Sequence, residues 1–147
     1  MSTNPSDQNI FRILTHEFTP PGAGVNFNYP VFASSRIQLI AFSFTLATSA
    51  TVANRYVSLY CFNGALATMH SDLSEPQPAS TTYTYHAAIG LPTKLVAAIQ
   101  LSIFGIPDLM FAENNYSISS EIYNIQAADT FTSVVLTFKQ WVGNPTI

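Results

Sequence analysis

Apolar and polar residues alternate with a period of two along nearly the whole chain, and this alternation constrains the fold more than any other feature. Alternating β-branched and aromatic residues, bounded by Gly, Pro, Asn and Asp, are typical of β-strands. The sequence has no run of ten or more residues with the i, i+3, i+4 spacing of an amphipathic helix. The clearest alternating runs are 25–31, 39–46, 57–62, 81–87, 95–103, 116–122 and 134–138. The sequence therefore predicts an all-β chain.

Length and turn signals indicate how these strands are arranged. A chain of 147 residues fits a single domain. The strongest turn signal is Asn63-Gly64, because both residues tolerate the positive φ of a two-residue hairpin loop. About eight short strands without helices predict an antiparallel β-sandwich of jelly-roll type. Some strands, such as the one that contains Val134 and Val135, are apolar on both faces, so we expect an N-terminal arm or a neighbouring subunit to cover the second face.

The N-terminal segment, residues 1–35, differs in character from residues 36–147, which we assign to the sandwich. Its first nine residues are polar and unpatterned, and two extended runs follow, joined by a Pro-Pro-Gly turn. These runs are either the first strands of the sandwich or an arm that adds a strand to a neighbour's sheet edge. The arm interpretation predicts that a chain without residues 1–30 still folds. Its candidate interaction residues are Phe11, Ile13, Phe18, Phe27 and Tyr29.

Charge is scarce in this chain, and its distribution excludes some classes of partner. Only 9% of the residues are charged, with five Lys and Arg against eight Asp and Glu. Nucleic-acid affinity depends on clustered cations. The five Lys and Arg residues of this chain are scattered singly, so we expect no nucleic-acid binding. The single Cys61 excludes an intrachain disulfide. The two most apolar stretches, 37–54 and 95–112, alternate like strands and contain polar residues, so neither predicts a membrane span.

The sequence carries no motif for catalysis or for cofactor binding. His16, His70 and His86 have no partner at metal-ligand spacing, and both HExxH and CxxC are absent. A nucleophile elbow and a Gly-rich phosphate loop are also missing. Asp108 and Asp129 lie beside predicted turns, where a carboxylate commonly bonds its own backbone. We therefore expect a protein that is not an enzyme and needs no metal or cofactor.

Carbohydrate binding is an alternative that the sequence leaves open. Sandwich folds often bind sugars through aromatic rings that stack on the sugar and through Asn side chains that bond its hydroxyls. The candidate residues for such a site are Tyr83, Tyr85, Tyr116 and Tyr123, with Asn114 and Asn115. The competing interpretation is that these tyrosines pack at half-buried positions with solvated hydroxyls.

Three segments resemble a pattern that recurs in small structural proteins of tailed bacteriophages. They are FTLATSATVANRYVSL at 44–59, QPASTTYTYHA at 77–87, and YSISSEIYNIQ at 116–126, which continues through Asp129 into the closing strand. Together they cover residues 36–142 in the same order as in those proteins, with Asn115 at a position that is commonly Gly. The resemblance implies a β-sandwich or jelly-roll virion component, such as a capsid cement (decoration) protein or a neck or tail accessory.

A cement protein of this kind bridges capsid subunits and adds buried area that exists only in the assembled shell, so mass action favours assembly. The resemblance thus implies that the major capsid protein or other virion proteins are the partners. We expect a homo-oligomer, with a trimer preferred and a dimer possible, located in a virion assembled in the host cytoplasm. The alternative is a tail- or neck-associated module that recognises host glycans.

Some polar residues are predicted to hold turns and not to do chemistry. Asn54 is expected to bond local backbone, and Arg55 is expected to donate to nearby carbonyls or to a carboxylate. The full set of predicted structural turn residues is Asn54, Arg55, Asn63, Gly64 and Asp129.

Overall fold

The computed structural model describes residues 11–30, 36–72, 75–108, 111–112 and 116–141. These residues form eleven strands and one short 3-10 turn at Ala97–Ile99. The strands are β1 (Phe11–Phe18), β2 (Asn28–Pro30), β3 (Arg36–Ala47), β4 (Tyr56–Asn63), β5 (Leu66–Asp72), β6 (Thr82–Ile89), β7 (Lys94–Val96), β8 (Leu101–Ile106), β9 (Phe111–Ala112), β10 (Tyr116–Tyr123) and β11 (Thr130–Trp141). Within the described residues, no helix is long and apolar enough to cross a bilayer.

The strands form two sheets whose strand order is that of a jelly roll. The larger sheet has the order β1-β11-β3-β6-β8-β7, with β9 beside the start of β3, and the smaller sheet has the order β2-β10-β4-β5. The set β1-β11-β3-β6 therefore faces the set β2-β10-β4-β5, as in a double-sheet jelly roll. Every pair within these eight strands is antiparallel. The predicted antiparallel sandwich of jelly-roll type is confirmed.

The segment between β6 and β10 enlarges one sheet beyond this pattern. Its strand β8 pairs with β6 in parallel, and β7 pairs with β8 in antiparallel orientation. The alternation over 95–103 predicts one strand there, but the chain reverses within it, through the 3-10 turn and Gln100 at φ 53°. Gln100, in the left-handed region, interrupts the predicted strand directly before β8, and no Gly or Asn marks that position in the sequence.

The core lies between the sheets and is built largely from aromatic rings. Phe27 lies at its centre, with ring centroids 5.2 Å from Phe42, 5.6 Å from Phe44 and 5.2 Å from Phe131. The Phe44 ring also stacks on Tyr85 at 4.7 Å. These tilted, edge-on and stacked arrangements add attraction to the large apolar area that the rings bury. The alternating strand faces thus converge on one continuous aromatic core.

The described part of the N-terminal segment belongs to the sandwich of its own chain. β1 pairs with β11 along its whole length, and β2 pairs with β10. The side chain of Phe27 is 1% exposed in the core. We therefore expect removal of residues 1–30 to unfold the domain, in contrast to the arm interpretation. Residues 1–10 and 31–35 lie outside the described residues.

The predicted hairpin at Asn63 and Gly64 connects β4 to β5. Asn63 is the last residue of β4 and pairs with Leu66, so the two loop residues are Gly64 and Ala65. Gly64 has a φ of 58°, and it is the loop residue in the left-handed region. The loop thus lies one residue further along than the sequence predicts.

Gly105 in β8 offers a test of the packing beside the enlarged sheet. A β-carbon at this position would lie 2.5 Å from the backbone carbonyl oxygen of Leu91. We expect Gly105→Ala to displace that loop and to lower the free energy of unfolding by about 1–3 kcal/mol in urea denaturation. Gly22→Ala is the control, because nothing lies within 4 Å of a β-carbon there. Equal losses in the two variants would contradict this account.

Candidate functional site

A buried polar cluster joins the two sheets at one end of the sandwich. We call it the polar junction, and its members are Ser49, Arg55, Gln77, Tyr85 and Asp129. Arg55 and Asp129 form a two-point ion pair, with Nε 2.9 Å from Oδ2 and Nη2 2.8 Å from Oδ1. Both side chains are fully buried. Because Arg55 directly precedes β4 and Asp129 directly precedes β11, the pair connects the smaller sheet to the larger one.

Further hydrogen bonds satisfy both charges of this pair. Arg55 also donates to the carbonyl oxygens of Thr51 and Ala53 and to the hydroxyl of Ser49. Asp129 accepts from the backbone N–H of Ser49 at 2.7 Å and from that of Gln126 at 2.8 Å. A buried ion pair is stabilising only when its remaining donors and acceptors have partners. The geometry around Arg55 and Asp129 meets that condition.

Gln77 extends the junction, although no feature of the sequence indicates this role. Its backbone exchanges two hydrogen bonds with that of Arg55, at 3.0 and 2.9 Å. Its side-chain amide donates to the carbonyl oxygens of Leu46 and Thr81, and its amide oxygen accepts from the Tyr85 hydroxyl at 2.7 Å. Its position between two prolines predicts only a solvated turn. No buried side-chain nitrogen or oxygen in the described part of the chain lacks a hydrogen-bond partner.

The electrostatics of the junction suit a structural role. Burial acts to raise the pKa of Asp129, but hydrogen bonds from Arg55, Ser49 and Gln126 outweigh it and lower that pKa from 3.8 to about 2. Burial raises the pKa of Tyr85 far above its usual value. Neither group therefore titrates near neutral pH, where a general acid or base would have to exchange its proton.

Asn54 takes part in its turn through the backbone. Its carbonyl oxygen accepts a hydrogen bond of 3.1 Å from Nδ2 of Asn124, which follows β10 and has a φ of 63°. The sequence predicts a contact between the Asn54 side chain and local backbone, whereas the described bond uses the carbonyl oxygen. The observed bond ties the turn before β4 to the turn after β10.

The five candidate interaction residues separate into three environments. Phe27 is a core residue with 1% exposure, so its side chain cannot contact a partner as predicted. Phe18 and Tyr29 are half-buried and stack on each other, with ring centroids 4.1 Å apart. Phe11 and Ile13 remain exposed, at 47% and 62%.

Phe11 and Ile13 belong to a group of exposed and half-buried residues near the edge of the larger sheet. We call this group the aromatic corner; it consists of Phe11, Ile13, Arg36, Lys139 and Trp141. In the β1–β11 register, Phe11 lies opposite Trp141 and Ile13 lies opposite Lys139. The Lys139 ammonium lies 3.8 Å from the Phe11 ring centroid and 5.0 Å from that of Trp141, and the Arg36 guanidinium lies 5.3 Å from the latter. These are cation–π distances, so the corner holds cations on an aromatic surface.

The tyrosines proposed for sugar binding do not form one site. Tyr83 and Tyr85 are buried in the core, where no ligand can stack on them. Tyr116 is half-buried, and Tyr123 is 68% exposed on the smaller sheet. Residues 114–115 lie outside the described part of the chain.

The three histidines and Cys61 do not come together in one site. The His16 ring contacts that of Phe18 at 4.4 Å, and His70 Nε2 lies 3.4 Å from an oxygen of Asp72 at the surface. His86 is exposed on the larger sheet, and burial raises the pKa of the Cys61 thiol. Within the described ranges, no three His, Cys, Asp or Glu residues are placed to hold a metal ion.

No protein-family model matches the sequence, and no curated protein matches it either. Two solved structures give weak likenesses. One is the crystal structure of the T13 viral particle of IBDV, at 11% identity and a TM-score of 0.33, and the other is infectious bursal disease virus of the Gx strain, at 12% and 0.34. The alignments cover 99% of this chain but only 44% and 45% of the matched chains. Such scores do not establish a shared fold, so the jelly-roll assignment rests on strand order and register.

The ion pair of the polar junction provides a stability test. Asp129→Asn removes the counter-charge of a buried arginine, which typically costs about 3–5 kcal/mol. We expect a loss of that size in the free energy of unfolding, measured by urea denaturation at neutral pH. Asp72→Asn is the control, because the Asp72 side chain is 60% exposed and its loss should cost less than about 1 kcal/mol. A similar loss in both variants would exclude a special role for the junction.

The same ion pair predicts a defined acid dependence. The pKa of Asp129 is about 2 in the folded chain and 3.8 when unperturbed, so its stabilisation is complete above the higher value and is lost as the pH falls through the lower one. We expect the wild-type free energy of unfolding to fall by about 2 kcal/mol between these pH values on this account. Asp129→Asn should lack this component, and an identical pH dependence in both proteins would contradict the assignment.

Proposed function

We propose that this chain is a non-enzymatic structural protein of a virion. Within that class we propose a capsid cement (decoration) protein of a tailed phage, which stabilises the shell by bridging capsid subunits. The resemblance of residues 36–142 to phage structural proteins motivates the class. The jelly-roll strand order is compatible with it, because capsid and lectin domains both use this architecture. A fold does not by itself imply a function, so support for the proposal must come from the residues at the surface.

The observation that carries the proposal is the aromatic corner at the edge of the larger sheet. β1 is the terminal strand of that sheet among the described residues, and an exposed edge strand is a template for pairing with another chain. Phe11 and Ile13 add apolar area beside that edge, and burying a side chain of this size contributes about 1.5–3 kcal/mol. Lys139 adds positive charge, which suits an acidic surface on the partner.

The bridging mechanism follows from this arrangement. A capsid subunit would place an extended segment along β1, where main-chain hydrogen bonds supply affinity. The rigid sandwich would then carry a second contact to an adjacent subunit. Since both contacts exist only in the assembled shell, binding shifts the equilibrium toward assembly. The major capsid protein is the partner proposed here, and neither nucleic acid nor a membrane takes part.

Phe11 and Ile13 provide the direct test of the corner. We expect the double variant Phe11→Ser and Ile13→Ser to bind particles at least about tenfold more weakly, because two apolar side chains no longer lose water-exposed area on binding. The affinity is measured by cosedimentation with virus particles. The particles come from the virus that encodes this protein and are first stripped of it. Val52→Ser is the matched control, because Val52 is 94% exposed in a turn outside the corner. Unchanged decoration by the double variant would contradict the proposal.

Oligomeric state and copy number test the remaining parts. A cement protein around a local threefold axis should form a trimer in solution, with a dimer as the second possibility. Multi-angle light scattering at micromolar concentration measures this, and a monomer would count against it. Quantitative mass spectrometry of purified particles should find many copies of this protein per particle. A few copies at the tail would favour a neck- or tail-associated module.

A further inference from the structure

A groove with a volume of about 430 Å³ opens at the outer face of the smaller sheet. It lies between β10, the tip of the β4–β5 hairpin and the chain that leads into β2. The residues that give it chemical character are Asn26, Asn28, Phe62, Ser117, Ser119 and Glu121. Neither the structural role in a virion nor the aromatic corner uses this groove.

One side of the groove is aromatic. Phe62 lies there and its ring is nearly parallel to that of Tyr60, with centroids 5.4 Å apart and an interplanar angle of 15°. Tyr60 lies in turn nearly parallel to His70, at 5.5 Å and 19°. This row of rings follows the outer face of β4 and β5. Of these three rings, Phe62 lines the groove and gives it an aromatic surface that can stack against the apolar face of a ligand ring.

The other side of the groove presents oriented polar groups. The amide oxygen of Asn26 accepts from the backbone N–H of Ile122 at 3.0 Å, and that of Asn28 accepts from the Ser119 hydroxyl at 2.8 Å. These bonds fix both amides and leave their NH₂ groups as donors. Within the described chain, Ser117 and Glu121 make no side-chain hydrogen bond, so a hydroxyl and a carboxylate remain for a ligand.

The charge distribution selects among possible ligands. Glu121 is the charged residue of the groove. The cations Arg12, Arg36, Lys94 and Lys139 lie on strands of the larger sheet, and Arg55 is occupied by Asp129. An anionic ligand would therefore meet a carboxylate without a compensating cation, which disfavours phosphate, sulfate and sialic acid. A neutral ligand with several hydroxyls matches the donors and acceptors present.

We propose that this groove binds a neutral saccharide. One sugar ring stacks on Phe62, hydroxyls donate to the Glu121 carboxylate, and the amides of Asn26 and Asn28 donate to sugar oxygens. Ser117 can serve either as donor or as acceptor. The site differs from the tyrosine set that the sequence suggested, because Tyr83 and Tyr85 are in the core.

Titration of the full-length protein with four neutral disaccharides tests this proposal: maltose, lactose, mannobiose and chitobiose, at millimolar concentration. Two-dimensional NMR of the labelled protein locates the site and gives the affinity. We expect at least one disaccharide to shift amide signals of Phe62, Ser117 and Glu121. Phe62→Ala and Glu121→Gln should each weaken that binding roughly tenfold, as expected for losing a stacking surface or a charged hydrogen-bond acceptor. 3′-Sialyllactose should bind more weakly than the disaccharide that binds most tightly.

The matched control is Tyr123→Ala, since Tyr123 is an exposed aromatic residue of the same sheet outside the groove. It should bind as the wild type does, and thermal melting should confirm that all variants are folded. Absence of binding by every disaccharide, undiminished binding in both groove variants, or binding of sialyllactose as tight as that of the best disaccharide would each overturn the proposal. The Phe11 and Ile13 double variant should keep saccharide binding, while the groove variants should keep particle binding. The two proposals therefore fail separately.

Discussion

The ion pair between Arg55 and Asp129 is the interaction on which the arrangement of the two sheets depends. Removing a guanidinium and a carboxylate from water costs several kcal/mol per ion, and the cost is offset only when the geometry satisfies every donor and acceptor. The loop from Ser49 to Ala53 and the turn at Gln126 supply those partners. The connections before β4 and before β11 are therefore specified together, because neither can move without leaving a buried charge partly unpaired.

The aromatic core and the polar junction make different contributions to specifying the fold. The packed rings around Phe27 supply apolar burial, which is strong but tolerates small shifts between the sheets. The junction adds directional bonds at one end, including the contact of Gln77 with Tyr85, whose own ring packs on Phe44. Tyr85 thus belongs to both systems and connects the polar end to the apolar centre.

The sequence was sufficient to predict the fold class, because the two-residue alternation of side chains follows directly from strand geometry. Alternation alone does not say which face is buried, so Phe27 and Tyr29 looked alike although only Phe27 lies in the core. Arg55 could be predicted to need a carbonyl or carboxylate partner. Its partner Asp129, 74 residues away, follows from tertiary structure and not from any local pattern. Gln77 carries no local signal of burial, and it was therefore missed.

The two proposed binding surfaces were harder to anticipate for the same reason. The candidate residues Phe11 and Ile13 were identifiable from sequence as apolar residues of an extended run, but their neighbours Lys139 and Trp141 come from the far end of the chain. The groove at Phe62 combines residues from three separate segments, and each segment by itself has an ordinary strand or loop composition.

The distribution of charged residues makes the molecule electrically asymmetric across its thickness. In the described strands, the larger sheet carries four basic side chains and one carboxylate, Glu17, whereas the smaller sheet carries only Asp72 and Glu121. A particle of negative surface potential would rotate such a molecule during diffusional approach, before any atom touches. Docking would then be directional from the outset, with the basic side turned inward and the acidic side, with its groove, toward the surrounding medium.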